Sequence, residues 1–509
     1  MNTKARILLM AVIWICILGV AVVAWKYWFA PRQEQIAEEQ AEQEHQEVLD
    51  KTSAQSRYTH EVVFNLDPFS GYAGFRSRDF KSECAQHGIK LTLVDDGANY
   101  ADRLKAMADG ECQMAVFTID ALVKAAAQLG DIPVTAICLI DETKGADAIL
   151  GGKAYPNIDA MNKPDTRIVC MPDSPSETLA RVVMAHFNLD NLSANPFQFM
   201  DSADAVYEEY KRAKPNDPKV FSIFEPYVSR IVENPDYQIV IDSSKFRGYI
   251  VDVIVVRRGF LLKNKEVVTN VVKAYLSTIY KHRNDMADLI AEDAKQLGEP
   301  LKPEQAAKLV ETIWFKNTTE NFGHMGLTNG HGLQHMEEMC ANIIDVLLKT
   351  DAINKDPTNG QPNLLFYDGV IKELFGTSWH PGFGEEDVRS EETLLALSDA
   401  EWGQLKPAGT LKAPRLVFAR GTSTITTLSK KTLDDLAEKL STLKYYLIVR
   451  GNVSAEGDVE ANRKLAEARA QVAVDYLVDK GVEKNRIRAE TSNPNGSTTV
   501  SFVVGEMPY

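Results

Sequence analysis

The chain has 509 residues, of which 45% are hydrophobic and 25% charged, and its formal net charge is −15. This length exceeds what one hydrophobic core usually supports, so we expect two or three domains of ordinary globular composition. The negative charge argues against a nucleic-acid-binding protein, because contact with phosphates requires a basic surface. It also argues against a protein that lies on anionic lipid.

An apolar run over residues 7–25 contains no charged residue, and a transmembrane helix needs about 20 such residues. Lys4 and Arg6 precede the run, which favours a cytoplasmic N-terminus and an exported body. A cleaved signal peptide is the alternative, but the bulky residues 25–28 offer no small-residue cleavage site. We therefore expect a single-pass protein of a bacterial inner membrane, anchored by residues 1–30, with its body in the periplasm.

The rest of the chain divides into four parts, of which a spacer and a large α/β region come first. Residues 31–56 are rich in Glu and Gln and predict a solvated spacer. Residues 57–375 alternate strands with helices of about ten residues, which indicates βαβ units and a parallel sheet. The predicted strands form a first set at 61–66, 89–94, 114–117 and 134–140, and a second at 167–171, 195–199, 220–224 and 237–241. A strand at 250–256 could return to the first set, so the α/β fold has two lobes with a cleft between them.

A second, smaller α/β unit is predicted at the C-terminal end. Residues 376–412 contain the Pro, Gly and acidic residues that are typical of a linker. Over residues 413–509, strands at 415–418, 446–451 and 500–504 alternate with helices at 429–443 and 462–480. This β-α-β-α-β order predicts a small α/β sandwich.

Polar residues recur at the ends of the predicted strands, and parallel α/β sheets bind ligands at the carboxyl ends of their strands. Ser174 and Ser176 also begin a helix, whose free N–H groups suit an anion or a carboxylate. Each residue taken singly has a simpler explanation, because Ser, Thr and Asp cap helices for stability alone. The residues that the pattern selects as ligand contacts are Gly71, Tyr72, Thr118, Asp120, Asp141, Ser174 and Ser176.

The same region resembles the type II periplasmic solute-binding proteins, in the subgroup that serves nitrate, sulfonate, taurine and thiamine-precursor uptake by ABC transporters. The matching pieces are residues 71–72, 103–106, 110–111 before Met114, 118–120, 141–147, 224–227 and 248–252. The resemblance implies a cleft that closes on a small anionic or zwitterionic solute, with a transporter permease as a partner and no cofactor or metal. It adds Glu225 and Asp252 to the candidate ligand contacts.

Residues 451–457, followed by Asn462, Leu465 and Arg469, resemble the OmpA-like peptidoglycan-binding domain. In that family an Asp and an Arg hold the diaminopimelate of the wall peptide, the carboxylate on its ammonium and the guanidinium on its carboxylate. Arg469 matches the Arg, but Ser454 stands at the position of the Asp, and residues 495–498 lack the family's late Asn-Arg-Arg run. The candidate wall contacts are Ser454, Asn462 and Arg469. The alternative is a retained fold that binds peptidoglycan weakly or not at all.

The sequence contains no recognisable lytic module, no convincing pair of catalytic carboxylates and no Ser/His/Asp set, so we expect a protein that is not an enzyme. The predicted function is a membrane-anchored solute-binding protein in ABC-type uptake or sensing. The alternative is a structural envelope protein whose cleft binds nothing. Cys138 and Cys170 lie in apolar runs and are predicted to be core residues. An oxidising compartment would permit a bridge between Cys84 and Cys112.

Overall fold

The computed structural model describes residues 58–328, 332–382, 388, 394–494 and 499–508. The predicted anchor, the spacer and residues 495–498 lie outside this part of the chain. Among the described helices, none is both long and apolar enough to cross a membrane. The chain divides into two units, residues 1–61 with 88–90 and residues 62–87 with 91–509, and the sites considered below belong to the second.

Three sheets organise the described chain. Its strands in chain order are β1 (His60–Leu66), β2 (Ile89–Asp95), β3 (Met114–Thr118), β4 (Val134–Thr143), β5 (Asp147–Gly152), β6 (Arg167–Cys170), β7 (Phe197–Phe199), β8 (Lys219–Phe224), β9 (Tyr237–Asp242), β10 (Val251–Arg257), β11 (Ile313–Phe315), β12 (Lys406–Thr410), β13 (Tyr446–Gly451), β14 (Ile487–Thr491) and β15 (Val500–Glu506).

Seventeen α-helices accompany these strands. They are α1 (Ala73–Arg76), α2 (Arg78–Gln86), α3 (Tyr100–Asp109), α4 (Ile119–Leu129), α5 (Pro175–His186), α6 (Ala203–Arg212), α7 (Tyr227–Val232), α8 (Arg258–Lys263), α9 (Lys265–Lys281), α10 (Met286–Gln296), α11 (Pro303–Thr312), α12 (Thr318–His324), α13 (Met336–Lys349), α14 (Gly369–Gly376), α15 (Asp399–Trp402), α16 (Thr427–Ser441) and α17 (Val459–Asp479), all within the described residues.

Two of the sheets form the lobes of the predicted α/β body. Lobe 1 is built on the sheet of order β2-β1-β3-β10-β4-β11, and lobe 2 on the sheet of order β7-β6-β8-β5-β9. The chain crosses between the lobes twice, from β4 into β5 and from β9 back into β10. Every residue of β3 and β4 is buried, as expected for strands covered by helices on both faces. The predicted bilobal fold and the return of the strand near residue 250 are confirmed.

The third sheet, of order β12-β15-β13-β14, forms the C-terminal module, residues 406–508. The strand predicted at residues 415–418 is not formed. The backbone N–H of Val417 instead donates to Ser429 Oγ at 2.7 Å, and Thr426 Oγ1 donates to the Val417 carbonyl at 3.1 Å. The edge position of the sheet is taken by β12, whose Pro407 made it resemble a linker. Proline is tolerated there because an edge strand leaves N–H groups unpaired.

The strands β5, β11 and β14 were missed. Strand β11 has only three residues and β14 is mostly half buried, whereas β5 is fully buried but has an apolar run of only three residues between Asp147 and two glycines. The described cysteines, which include Cys84, Cys112, Cys138 and Cys170, are buried and form no disulfide. The bridge between Cys84 and Cys112 is therefore not made, whereas the core positions of Cys138 and Cys170 are confirmed.

Candidate functional site

The central strand of lobe 1 brings three predicted ligand contacts side by side. Because β10 lies between β3 and β4, Asp252 is in register with Thr118 on one side and with Asp141 on the other. Tyr72 reaches the same point, and its hydroxyl donates to Asp252 Oδ1. Gly71 packs closely here, since a Cβ at that position would lie 2.6 Å from Asp141 Oδ2. Five of the nine predicted cleft residues therefore meet at one edge of lobe 1.

Lobe 2 meets this edge with the beginning of α5. Ser176 Oγ donates to Asp147 Oδ1 at 2.9 Å. Ser174 has the simpler role: its Oγ accepts the Glu177 N–H at 3.2 Å and donates to the Met171 carbonyl at 2.7 Å, so it caps the helix.

Two side-chain contacts join the lobes across the cleft. Thr178 Oγ1, on α5, donates to Asp120 Oδ2, on α4. Lys124 Nζ, also on α4, lies 3.3 Å from Glu177 Oε2. Both contacts are buried, and helix α13 packs against α4 and α5 alike. The lobes are therefore closed over the predicted site. Thr178, Lys124 and Glu177 were missed from sequence, since a helix-interior Thr or an ion pair between distant segments leaves no local signal.

Burial dominates the electrostatics of the cluster formed by Thr118, Asp120, Asp141, Asp147 and Asp252. It raises the pKa of Asp252 well above its ordinary value, and repulsion from neighbouring Asp141 adds to the shift. Burial likewise raises the pKa of Asp141, and that of Asp147 to about 7. Charged carboxylates are costly in a low-dielectric interior, so a proton shared between Asp141 and Asp252 is the arrangement that these shifts indicate.

Several acceptors in the cluster receive no N–H or O–H from the described residues. These buried atoms are Thr118 Oγ1 and Asp120 Oδ1, and the oxygens of Asp141 have no donor besides the proton shared with Asp252. A buried polar group without a partner costs about 1–3 kcal/mol, so each such atom requires an explanation. The cluster is accordingly rich in acceptors and carboxyl groups.

Glu225 is held by groups outside the cluster. Its carboxylate lies 2.9 Å from Lys308 Nζ and accepts Ser229 Oγ at 2.9 Å and the Ser229 N–H at 3.0 Å. It acts on the cluster at longer range, because its charge is one of the influences that raise the pKa of Asp147. The structure thus gives Glu225 a pairing role that the sequence did not indicate.

The candidate wall contacts lie on or beside α17 in the C-terminal module. Asn462 Nδ2 donates to the carbonyls of Ser454 at 3.3 Å and Glu456 at 2.7 Å, so it closes the preceding loop. Arg469 lies about two turns further along the helix. Its Nε donates to the Thr422 carbonyl at 3.0 Å, and its guanidinium lies 4.9 Å from the Phe418 ring centroid. The structure brings Ser454 and Asn462 together and holds Arg469 against a separate loop.

No metal centre is evident in the part of the chain that the structure describes, where no group of three or more His, Cys, Asp or Glu residues is arranged to hold an ion.

Comparison with known proteins identifies the C-terminal module. Residues 417–499 match the model of the OmpA family. The outer membrane protein A of Serratia marcescens is 37% identical over 83 residues, which is 16% of this chain and 23% of that protein. The match thus spans about a quarter of the relative's length and concerns this module alone.

Solved structures similar to the chain include several solute-binding proteins. A zinc-bound ligand-binding component of an ABC-type import system from Staphylococcus aureus is 16% identical, with a TM-score of 0.44, over 62% of this chain and 99% of that chain. A putative periplasmic sulfonate-binding protein, SsuA, from Methylobacillus flagellatus is 10% identical, with a TM-score of 0.47, over 65% and 98%. The desulfurization enzyme DSZB is 10% identical, with a TM-score of 0.41, over 63% and 100%. Identities and scores this low say nothing about the ligand of this chain.

Proposed function

We propose that this chain is an envelope solute-binding protein whose lobes close on a small zwitterionic solute, with its ammonium group at the cluster of Asp120, Asp141 and Asp252. The observation that carries the proposal is the set of buried acceptor atoms on Thr118, Asp120 and Asp141, which have no donor in the described chain besides the proton that Asp141 shares with Asp252. A ligand ammonium offers three N–H donors for these acceptors, and its positive charge would add to those of Lys124, 3.9 Å from Asp120 Oδ2, and Lys316, which acts on Asp141. Of the anionic and zwitterionic solutes expected from the resemblance, the acidic cluster favours the zwitterionic ones.

The proposal extends to the use of the site. A solute enclosed between two lobes can be delivered to a transporter permease or reported to a partner protein, and both uses require the lobes to open and close. The contacts between Asp120 and Thr178 and between Lys124 and Glu177 are the ones that opening would break.

The test measures the unfolding midpoint of the full-length protein in detergent with pairs of solutes. The two members of a pair differ only in that one has an amine where the other has a hydroxyl group. The pairs are glycine and glycolate, β-alanine and 3-hydroxypropionate, and taurine and isethionate. We expect at least one amine member to raise the unfolding midpoint, because a ligand of the native state stabilises it, and its hydroxyl counterpart to have no effect. Asp252→Asn, which keeps the shape and the acceptor for Tyr72, should weaken binding by about tenfold or more.

Asp109→Asn is the matched control, since Asp109 is an exposed residue of lobe 1 and the substitution removes the same charge. Equal shifts with the amine and hydroxyl members would contradict recognition of an ammonium group. Equal affinity of the Asp252 and Asp109 variants would place the solute elsewhere.

A structural envelope protein is the second candidate. It is favoured by the closed lobes, in which predicted contacts such as Tyr72, Ser176 and Asp120 already bond to protein groups. Failure of every solute pair to change the midpoint, with the protein folded, would support this role over solute binding.

The proposed location rests on the apolar run at residues 7–25 and on the OmpA-family module. We expect the full-length chain to fractionate with inner membranes and, after extraction in detergent, to be retained on purified peptidoglycan. Arg469→Ala should lower the retained fraction about tenfold without changing the membrane fractionation. Lys464→Ala, at an exposed position of the same helix, is the control. Equal retention of the two variants would exclude Arg469, and recovery in the soluble fraction would exclude the anchor.

A further inference from the structure

A cavity of about 570 Å³ lies between the bilobal body and the C-terminal module. Sites for small molecules commonly have volumes of about 300–1,000 Å³. Helices α13 and α16 both line the cavity. Backbone hydrogen bonds between body and module hold nearby segments together, from the Lys412 N–H to the His186 carbonyl at 2.8 Å and from the Arg247 N–H to the Thr442 carbonyl at 2.9 Å. Hydrogen-bonded backbone of the body and the module therefore borders the cavity.

Positive side chains from three segments converge on this cavity. Lys349 comes from α13, Lys412 from the segment after β12, and Lys439 from α16, which also contributes Lys431 at an exposed position. The first two are neutralised, because Lys349 lies 2.6 Å from Asp345 and Lys412 lies 3.0 Å from Asp190.

Lys439 differs from its two neighbours. Its ammonium donates to the Lys412 carbonyl at 3.4 Å, and among the described residues no carboxylate oxygen lies within the 4.0 Å of a salt bridge. Burial lowers the pKa of this lysine, and the charge of Lys349 lowers it further. Asp435 and Glu438 also line the cavity, so its acidic groups are present but do not pair with this ammonium. Asp345 and Asp435 raise the pKa of Lys439 but do not offset burial and Lys349, so an anion in direct contact with this ammonium would add the counter-charge that no ion pair of the described residues provides.

A buried histidine adds an uncharged polar group to the same wall. His186 lines the cavity, is only 4% exposed, and its Nε2 lies 2.8 Å from Tyr249 Oη. Burial lowers its pKa to about 3, so the ring is neutral at physiological pH. Its Nδ1 has no hydrogen-bond partner among the described residues. The wall beside the lysines thus contains an uncharged ring whose Nδ1 is buried and lacks a partner in the described part of the protein.

We propose that this cavity binds a small dianion, a dicarboxylate or a phosphate compound, held chiefly by the ammonium group of Lys439. The site is independent of the cleft between the lobes and requires no solute there. Because body and module both line the cavity, the ligand favours the docked arrangement of the two and stabilises the protein only while they remain together.

The experiment uses calorimetric titration and thermal unfolding of the full-length protein with glutarate and with pyrophosphate. Glutaramide, the neutral diamide of glutarate, is the ligand control. We expect one or both dianions to bind and to raise the unfolding midpoint, and their relative affinities distinguish the carboxylate from the phosphate ligand. Lys439→Gln should weaken binding about tenfold or more. Lys430→Gln removes the same charge at an exposed position of α16 that does not line the cavity and should leave binding unchanged.

Three results would overturn the proposal: no binding of either dianion, binding of glutaramide as tight as that of glutarate, or equal affinities of the Lys439 and Lys430 variants. Asp252→Asn separates this site from the cleft, because it should leave dianion binding intact. Dianion binding lost in Asp252→Asn and retained in Lys439→Gln would assign the ligand to the cleft and not to this cavity.

Discussion

Arg103→Ala should lower the free energy of unfolding by about 3–5 kcal/mol, because it leaves the buried carboxylate of Asp67 and the half-buried one of Asp96 without their cation. The Arg103 side chain is fully buried. Its Nε donates to Asp96 Oδ2 at 2.7 Å, its Nη2 to Asp67 Oδ2 at 3.1 Å and its Nη1 to the Val116 carbonyl at 2.5 Å. Burial already raises the pKa of Asp67, and the Arg103 charge opposes that shift. Without the guanidinium, the carboxylates of Asp67 and Asp96 would both lose their positively charged partner.

Urea unfolding followed by intrinsic fluorescence measures this loss. Lys105→Ala is the control, since Lys105 is exposed on the same helix, α3. Where Arg103→Ala fails to fold, Arg103→Met combined with Asp67→Asn and Asp96→Asn should restore a folded protein, because replacing all the charges removes the uncompensated ones. A loss no larger than that of Lys105→Ala would mean that the ion pairs contribute little net stability.

Without a bound solute, the protein should lose stability as the pH rises from about 5 to 8, and Asp141→Asn should remove part of that loss. The pKa values of Asp141 and Asp252 are raised in the folded state. Above the unfolded pKa of about 4, the folded state therefore retains protons that the unfolded state releases. Stability from such groups is complete below the unfolded pKa and is lost as the pH rises through the folded one.

Other ionisable groups near Asp141 and Asp252 also affect how stability depends on pH. The groups that face it are Tyr72, Asp67, Glu142 and Lys316. Burial would raise the pKa of Glu142, but Lys144 and Lys316 hold it well below its usual range. The stability that Glu142 provides is therefore present above its unfolded pKa and lost only in acid, below the pH window considered. Asp147, with a pKa raised to about 7, adds to the decline between pH 5 and 8.

Thermal unfolding across this pH range measures the effect. One pKa unit corresponds to about 1.4 kcal/mol, so the stability of Asp141→Asn relative to the unsubstituted protein should rise by about 2 kcal/mol between pH 5 and pH 8. Asp109→Asn should follow the unsubstituted protein throughout. Parallel pH profiles for the Asp141 variant and the unsubstituted protein would show that the pair does not bind a shared proton.

Sequence patterns were sufficient to predict the two lobes of the body and, in the C-terminal module, both long helices and two of the four strands. Apolar periodicity records which faces of each element are buried, so β3, β4 and β10 were recognised with nearly the bounds that the structure gives. The strands that were not predicted are those whose formation depends on a pairing partner elsewhere in the chain. Strand β12 contains Pro407 and Gly409 and becomes a strand only because β15 offers it an edge.

The candidate site was predicted only in part, because local patterns mark its polar residues but not how they meet. Polar residues such as Thr118 and Asp141 stand out where an apolar strand ends, and strand ends in α/β sheets meet at one edge. Their register with Asp252 follows from the insertion of β10 between β3 and β4, which only the folded sheet decides. The raised pKa values follow from that placement and from burial, neither of which a local pattern records.

What the sequence alone determined is therefore the alternation of elements, the two lobes, the module and the polar strand ends, because these depend on neighbours along the chain. The tertiary structure alone decided which polar groups meet. Thr178 reaches Asp120 only when the lobes close, and Lys349, Lys412 and Lys439 share a cavity only when the module docks on the body. Electrostatic interactions depend on distance in space and on burial, and neither quantity can be read from separation along the chain.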